Sequence, residues 1–533
     1  MHDSIRNVEI KISNDSSERR DAVQKVVNQT KKFADVIKYS ILLLQMAEAN
    51  IDQSSSIPDL SFIDATLGRT TDNSHQVPAV EGVSLSSSDD DSEGEQADVG
   101  SVYSAELDDD FFDAMDTMSQ SDETTPCDGG VVDRPSKHVP SHWEKYDACC
   151  EQEDCDEPQV DTSIFMHLLS QVKLGMDLTR VTLPTFILER RSFLEMIADF
   201  LAHPDLFAQI AAMNTPEDRM VQAVKWYLSA FHAGRRTVVP KKPYNPILGE
   251  VFYCFYSLDE SSSPETPTHT TNNNPIPWAR ECDVSFVAEQ VSHHPPVSAY
   301  YAEHIPNQIE IEGSIWTKSR FLGISVSVHM VGMTKLRLLK YDEEYVMTFP
   351  SAYGRSIFSV PWFELGGKVF IECKKTGFRS DIEFETKPFY GGKKHRVVGT
   401  ISHLGKKIHS LDGEWNDRIY IKKYSSTLES AESIFFDVKT SSMIPKRIKS
   451  IRDQNENESR RLWRDVTYFL CTNHLEKATE AKRKLEDEQR KGAAERLETG
   501  QKWIPKHFTQ CPNILETETA WQYCNPLSKR GKA

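Results

Sequence analysis

From about residue 247 to 424 the chain alternates apolar and polar side chains one by one, in many short runs. Ile309 and Ile311 alternate with Glu310 and Glu312, Ile324, Val326 and Val328 with Ser325, Ser327 and His329, and Ile382 and Phe384 with Asp381, Glu383 and Glu385. Successive side chains of a strand point to opposite faces, so period two, broken by turn residues such as Gly391 and Gly392, specifies antiparallel sheet. A meander of about 180 residues exposes long edges unless it closes or nearly closes on itself. A barrel of more than eight strands has room inside for a ligand. Helical signals flank the strands. Ile164, Phe165, Leu168, Leu169 and Val172 form one apolar stripe. Ser192 and Glu195 have capping-box spacing, and Thr215 with Pro216 opens a helix carrying Met220, Val224, Tyr227 and Phe231. Helices return over about 453–498. The expected fold class is α+β.

Charge divides the 533-residue chain. Residues 70–133 hold 18 acids and no Lys or Arg, which equals the net charge of −18 for the whole chain. The rest is balanced, with 62 acids against 62 bases, so basic patches there can act locally on an anionic partner. Residues 53–160 are rich in Ser, Asp, Glu and Gly and too poor in apolar groups to offset chain entropy, so a disordered acidic linker is expected. Residues 1–52 are expected to contain a helical segment. Val23, Val26, Thr30, Phe33, Ile37, Ser40 and Leu44 make a short heptad seam. Either it pairs as a homo- or hetero-oligomeric coiled coil or it folds back on its own chain. Residues 161–533 read as one ordered domain. No stretch approaches the roughly 18 apolar residues of a membrane span. The ten Cys include no C-x-x-C pair, so free thiols are expected and a metal or redox site is not. No cofactor and no nucleic-acid partner are expected.

Three segments carry chemistry. Residues 289–296 read Glu-Gln-Val-Ser-His-His-Pro-Pro. Prolines cannot continue a ladder, and neighbouring side chains of a regular strand diverge, so His293 and His294 reach one ligand only where the strand bends. Their spacing alone leaves a metal, a structural His pair or an anion site open. Residues 242–250 read Lys-Pro-Tyr-Asn-Pro-Ile-Leu-Gly-Glu, a rigid turn on which Lys242 and Asn245 can converge on an oxyanion, or a surface turn with an incidental Lys. Lys482, Glu486 and Arg490 lie at i, i+4 and i+8 on one side of a helix, either a ligand face or a solvated lattice of ion pairs. A fourth segment, Asp108–Asp110 followed by Phe111, Phe112, Asp113, Ala114, Met115 and Asp116, sets two aromatics in an acidic tract with no core to join. That suits a linear motif anchored by Phe and steered by charge.

The first three segments together resemble the signatures of the oxysterol-binding protein family, over about residues 160–533. The resemblance implies a large, nearly closed antiparallel β-barrel around an apolar tunnel, an N-terminal helical lid and C-terminal helices, preceded here by the disordered acidic arm. The lid would be Ile164, Phe165, Leu168, Leu169 and Val172. The family extracts lipids singly, and many members bind phosphatidylinositol 4-phosphate. By motif position its head group would be held by Lys242, Asn245, His293, His294, Lys482 and Arg490, with Glu486 orienting the helix bases. The Asp110, Phe111, Phe112, Asp113, Ala114, Asp116 core is similar to the two-phenylalanine motif that binds VAMP-associated proteins of the endoplasmic reticulum, with Asp110 and Asp116 where Glu is usual. A short form without the pleckstrin-homology domain of longer members is expected.

The resemblance thus implies a lipid-transfer protein, cytosolic and peripheral at endoplasmic reticulum–Golgi or endosome contact sites. It would exchange sterol or phosphatidylserine for phosphatidylinositol 4-phosphate; a phosphoinositide or sterol sensor or scaffold is the alternative. No enzymatic step is expected, since no G-x-S-x-G elbow supplies a nucleophile.

Overall fold

The computed structural model describes residues 142–152, 188–234, 241–259, 275–322, 325–355, 362–388, 392–424, 431–511 and 520–530. The seam within 1–52, the acidic tract with Phe111 and Phe112, and the lid stripe of 164–172 lie outside the described residues. His138–Ala533 forms one compact unit.

Its first described element is α1 (Glu144–Glu151), inside the stretch that composition assigned to the linker. Acids flank the helix, but Tyr146 and Cys150 bury against Ile451. Tyr146 also meets the Tyr468 ring at 5.5 Å and hydrogen-bonds Asp465. β1 (Leu188–Ser192) leads into α2 (Phe193–Ala198), a 3-10 turn (Asp199–Leu201), α3 (Pro204–Ile210) and α4 (Pro216–Ala233). Thr215 caps α4 by accepting from the Asp218 N–H. Ser192 caps α2 through the Leu194 N–H, while the Glu195 carboxylate is drawn to Arg460 and Lys446. β2 (Lys242–Tyr244) pairs with β1 in parallel.

Thirteen strands then form one antiparallel sheet: β3 (Val251–Tyr256), β4 (Val284–His293), β5 (Pro296–His304), β6 (Ile309–Phe321), β7 (Val326–Leu338), β8 (Glu343–Met347), β9 (Ser351–Arg355), β10 (Trp362–Cys373), β11 (Phe378–Glu385), β12 (Arg396–His403), β13 (Lys406–Glu414), β14 (Arg418–Lys423) and β15 (Ser433–Asp437). Neighbours follow sequence order from β3 to β15, except that β9 sits beside β7 and β10. The ring is nearly closed. The β3 edge is covered by backbone bridges from Val251 to Glu458 and from Phe255 to Arg447. Helices span the remaining gap. The Tyr256 hydroxyl donates to the Ala198 carbonyl at one side, and the His203 and His232 rings lie against Phe436 at the other. The chain ends with α5 (Ser459–Leu462), α6 (Arg464–Cys471), the 25-residue α7 (Leu475–Thr499), β16 (Phe508–Cys511) and β17 (Ala520–Tyr523).

Alternation finds the strands but not always their solvent face. Ile382 and Phe384 point inward as expected. Glu310 and Glu312 are only 0% and 5% exposed, on the face opposite the core. Arg337 pairs with both, and the C-terminal segment covers them, the Ser528 N–H donating to Glu310. On β7 it is Ser327 that is buried, while Val326 and Val328 are half-buried. Among the described residues no helix is long and apolar enough to cross a membrane, no metal-binding cluster of His, Cys, Asp or Glu occurs, and all cysteines are free.

Candidate functional site

The 242–250 turn is pinned from beneath. In β2 Tyr244 is buried and Lys242 exposed. Tyr244 stacks on Trp463 at 4.7 Å and shares a 3.0 Å hydrogen bond with Thr467. The turn ends on Glu250, fully buried, whose carboxylate accepts from the Ile247 N–H, Trp463 Nε1, Ser459 Oγ and Ser192 Oγ. Burial pushes its pKa up and the four donors pull it down. Asn245 is exposed on the same turn.

The histidines occupy the β4–β5 hairpin. A register shift between Gln290 and Ser292 bends the strand just before them. The bend brings the two rings to 4.7 Å at 77°, on one side rather than on opposite faces. The His294–Pro295 peptide is cis. His293 is half-buried and His294 exposed. The rest of the octet is structural. Glu289 accepts from the Lys506 and His507 N–H groups at 2.7 Å each. Gln290 exchanges backbone hydrogen bonds of 2.9 Å with Gly249 and Glu250, joining hairpin to turn.

Helix α7 closes the third side. Ala478 is buried, and Ala481, Lys482, Leu485, Glu486, Gln489, Gly492 and Arg496 are half-buried at steps of three and four, so this stripe faces the domain. Lys482 pairs with Glu486. Arg490 is exposed and pairs with Asp487. Gln489, which the i, i+4, i+8 spacing leaves out, lies on the same face. At 100° per residue, i+7 returns to within about 20° of Lys482, whereas i+8 has drifted by about 80°. Gln489 joins all three segments: its Oε1 accepts from the Leu248 N–H at 2.8 Å, and its amide nitrogen meets His293 Nε2. The carbonyl being spoken for, the amide donates and His293 Nε2 accepts, which places the imidazole proton on Nδ1.

Burial holds the His293 pKa down to about 4, and the nearby His294 and Arg496 charges push the same way. At neutral pH His293 is therefore uncharged, with Nε2 accepting from Gln489. Arg496, also overlooked, lines a groove with Ile247, Leu248, Leu485 and Gln489. Inside the barrel, Phe200, Trp226, Tyr227, Phe286, Met347 and Phe349 line an apolar void whose free space is ≈ 10 Å³, about one water. A larger guest enters only as these side chains turn aside.

The family model described as oxysterol-binding protein matches residues 167–474. Oxysterol-binding protein-related protein 9 of Mus musculus is 52% identical over 370 residues, 69% of this chain and 49% of that protein. Oxysterol-binding protein-related protein 11 of Homo sapiens is 42% identical over 433 residues, 78% of this chain and 56% of that protein. The chain spans about half the length of these curated relatives. Among solved structures, the Osh1 ORD domain in complex with cholesterol superposes with a TM-score of 0.55 at 22% identity, covering 71% of this chain and 90% of that one. The two share a fold.

Proposed function

The chain belongs to the oxysterol-binding protein family, and from that premise we propose that it is a lipid-transfer protein, exchanging sterol or phosphatidylserine for phosphatidylinositol 4-phosphate between the endoplasmic reticulum and a Golgi or endosomal membrane. The observation that carries the reading is the junction at Gln489, through which the helix of Lys482 and Arg490 is joined both to the 242–250 turn and to the His293–His294 hairpin. Cations and imidazoles gathered on a domain with an apolar interior suit an amphiphile with a phosphorylated head. In this reading Lys242, Asn245, His293, His294, Lys482 and Arg490 bind the head group and Glu486 orients Lys482. The acyl or sterol body displaces the aromatic side chains of the void. Enclosing that body saves about 25 cal/mol for each Å² of hydrocarbon kept from water. The 164–172 stripe serves as lid, Phe111 and Phe112 recruit a VAMP-associated protein, and the seam within 1–52 provides any oligomeric contact.

The test is extraction from mixed liposomes by the full chain, with bound lipid identified by mass spectrometry. Phosphatidylinositol 4-phosphate together with sterol or phosphatidylserine is expected. The His293→Ala/His294→Ala variant should lose the phosphoinositide and keep the other lipid. Unchanged phosphoinositide extraction by that variant refutes the head-group assignment, and extraction of phosphoinositide alone replaces exchange with sensing.

A further inference from the structure

We infer that the C-terminal end of α7 and the loop after it form a docking surface for an anionic bilayer, placed beside the candidate head-group site. This rests on the lipid reading above for its purpose, but not for its test. Helix α7 stops at Gly500, which takes the left-handed conformation (φ 66°) while the Gln501 N–H reaches back to the Arg496 carbonyl. The reversal sets residues 502–504 beside the last helical turn. Two aliphatic side chains stand out there almost fully exposed, Leu497 at 79% and Ile504 at 84%, with Trp503 between them at 41%.

Trp503 links this knob to the site. Its ring lies over Gly249, where an added Cβ would come within 2.3 Å of it, and the Arg496 guanidinium sits 5.8 Å from its centre. Gly249 belongs to the turn that carries Lys242 and Asn245, and Arg496 shares its groove with Gln489, the partner of His293. A lipid leaving the bilayer at this knob is therefore next to the candidate head-group residues.

The chemistry favours a membrane over a protein. Residues 489–507 hold five Lys or Arg against two Glu, within a chain of net charge −18. Lys491, Lys502 and Lys506 are exposed around the knob. Hydrocarbon closes around a protruding Leu and Ile, whereas a protein needs a groove shaped to them. A Trp at the base with Lys at the rim is the arrangement that settles at an acyl–head-group boundary. A second copy would bring like charges together.

The test is co-sedimentation of the full chain with vesicles of phosphatidylcholine and phosphatidylserine containing no phosphoinositide. Each aliphatic side chain should contribute about tenfold to partitioning and each basic residue about fivefold. The Leu497→Ala/Ile504→Ala variant, altered only at exposed positions, should bind roughly a hundredfold more weakly, with its melting temperature unchanged. Because these vesicles hold no phosphoinositide, their binding reads docking alone, and the extraction experiment reads the head-group site, so failure of the head-group reading and failure of the docking reading give different results. Equal vesicle binding by the Leu497→Ala/Ile504→Ala variant and the wild type overturns the proposal, as does wild-type binding indifferent to phosphatidylserine. Self-association of the wild type that these substitutions abolish, without vesicle binding, overturns it in favour of a second copy.

Discussion

Glu250 offers a sharp contrast between two substitutions at one atom position. Its Oε2 accepts from the Ile247 N–H at 3.0 Å and from Trp463 Nε1 at 2.8 Å, neither of which can accept in return. Its Oε1 accepts from the hydroxyls of Ser192 and Ser459, which can turn round and accept. Glu250→Gln can therefore place its carbonyl on the two obligate donors and its NH₂ on the two hydroxyls. The Ser459 proton then has the Val251 carbonyl, already at 3.3 Å, to go to. The substitution also removes a carboxylate whose burial raises its pKa, so the net change should stay within about 1 kcal/mol. Glu250→Ala instead leaves two buried N–H donors bare at about 1–3 kcal/mol each and opens a cavity, for about 4 kcal/mol in all.

For a unit of this size 1 kcal/mol moves the melting temperature by about 1–2 °C, so Ala should cost about 5 °C and Gln about 1 °C. Calorimetry of the full chain at neutral pH reads the difference. If Gln is as damaging as Ala, the negative charge itself is required and the donor–acceptor argument fails. If Ala is as mild as Gln, the four hydrogen bonds do not hold the turn.

Gly249→Ala should lower the melting temperature by about 2–4 °C and change the tryptophan emission, because φ is +79° there and the new Cβ meets the Trp503 ring; unchanged emission would mean the ring is not held by the turn. Acid should weaken the fold before its carboxylates titrate. Burial holds His232, His293 and His507 down to about 4, against 6.5 for the free side chain. Below pH 6.5 the unfolded chain takes up protons that the folded chain refuses, so their contribution is complete above about pH 6.5 and is lost as pH falls toward 4. Urea midpoints at pH 7.5 and pH 5 should differ clearly; equal midpoints would contradict the buried neutral state of these rings.

Local rules were sufficient where a segment's partner lies close in sequence. Ile382 and Phe384 alternate with acids, and the strand they predict has the face they predict. Thr215 and Pro216 open α4 where expected. Glu310 and Glu312 mislead because what covers them, Arg337 and the 527–530 segment, comes from elsewhere in the chain. Ser192 and Glu195 have capping-box spacing, but buried Arg460 takes the carboxylate. Helix α1 was hidden by its composition, because two Cys and a Tyr among acids do not read as a buried face until Ile451 and Tyr468 are beside them. At the site, motif spacing marked the three segments, but only helical geometry picks out Gln489 as the residue that joins them.

The pairings within the site bear on what it would hold. Lys482 already has Glu486, Arg490 has Asp487, and His293 Nε2 already accepts from Gln489. On the proposed reading a head group must therefore displace carboxylates, or share cations with them, rather than fall into a preformed basic cup. A single carboxylate or phosphodiester brings one charge to a cation that has one already, so that swap is close to neutral. A phosphomonoester carries about −1.5 to −2 at neutral pH and three acceptor oxygens, enough to draw more than one cation at once. It would also favour protonation of His293, whose pKa near 4 reflects burial and neighbouring positive charge. Release of the Gln489 amide from a protonated His293 would loosen its hold on Leu248 and on the turn beside Trp503. Head-group binding would then be felt at the surface proposed to meet the bilayer, and selection for a phosphomonoester would follow from the carboxylates that Lys482 and Arg490 already hold.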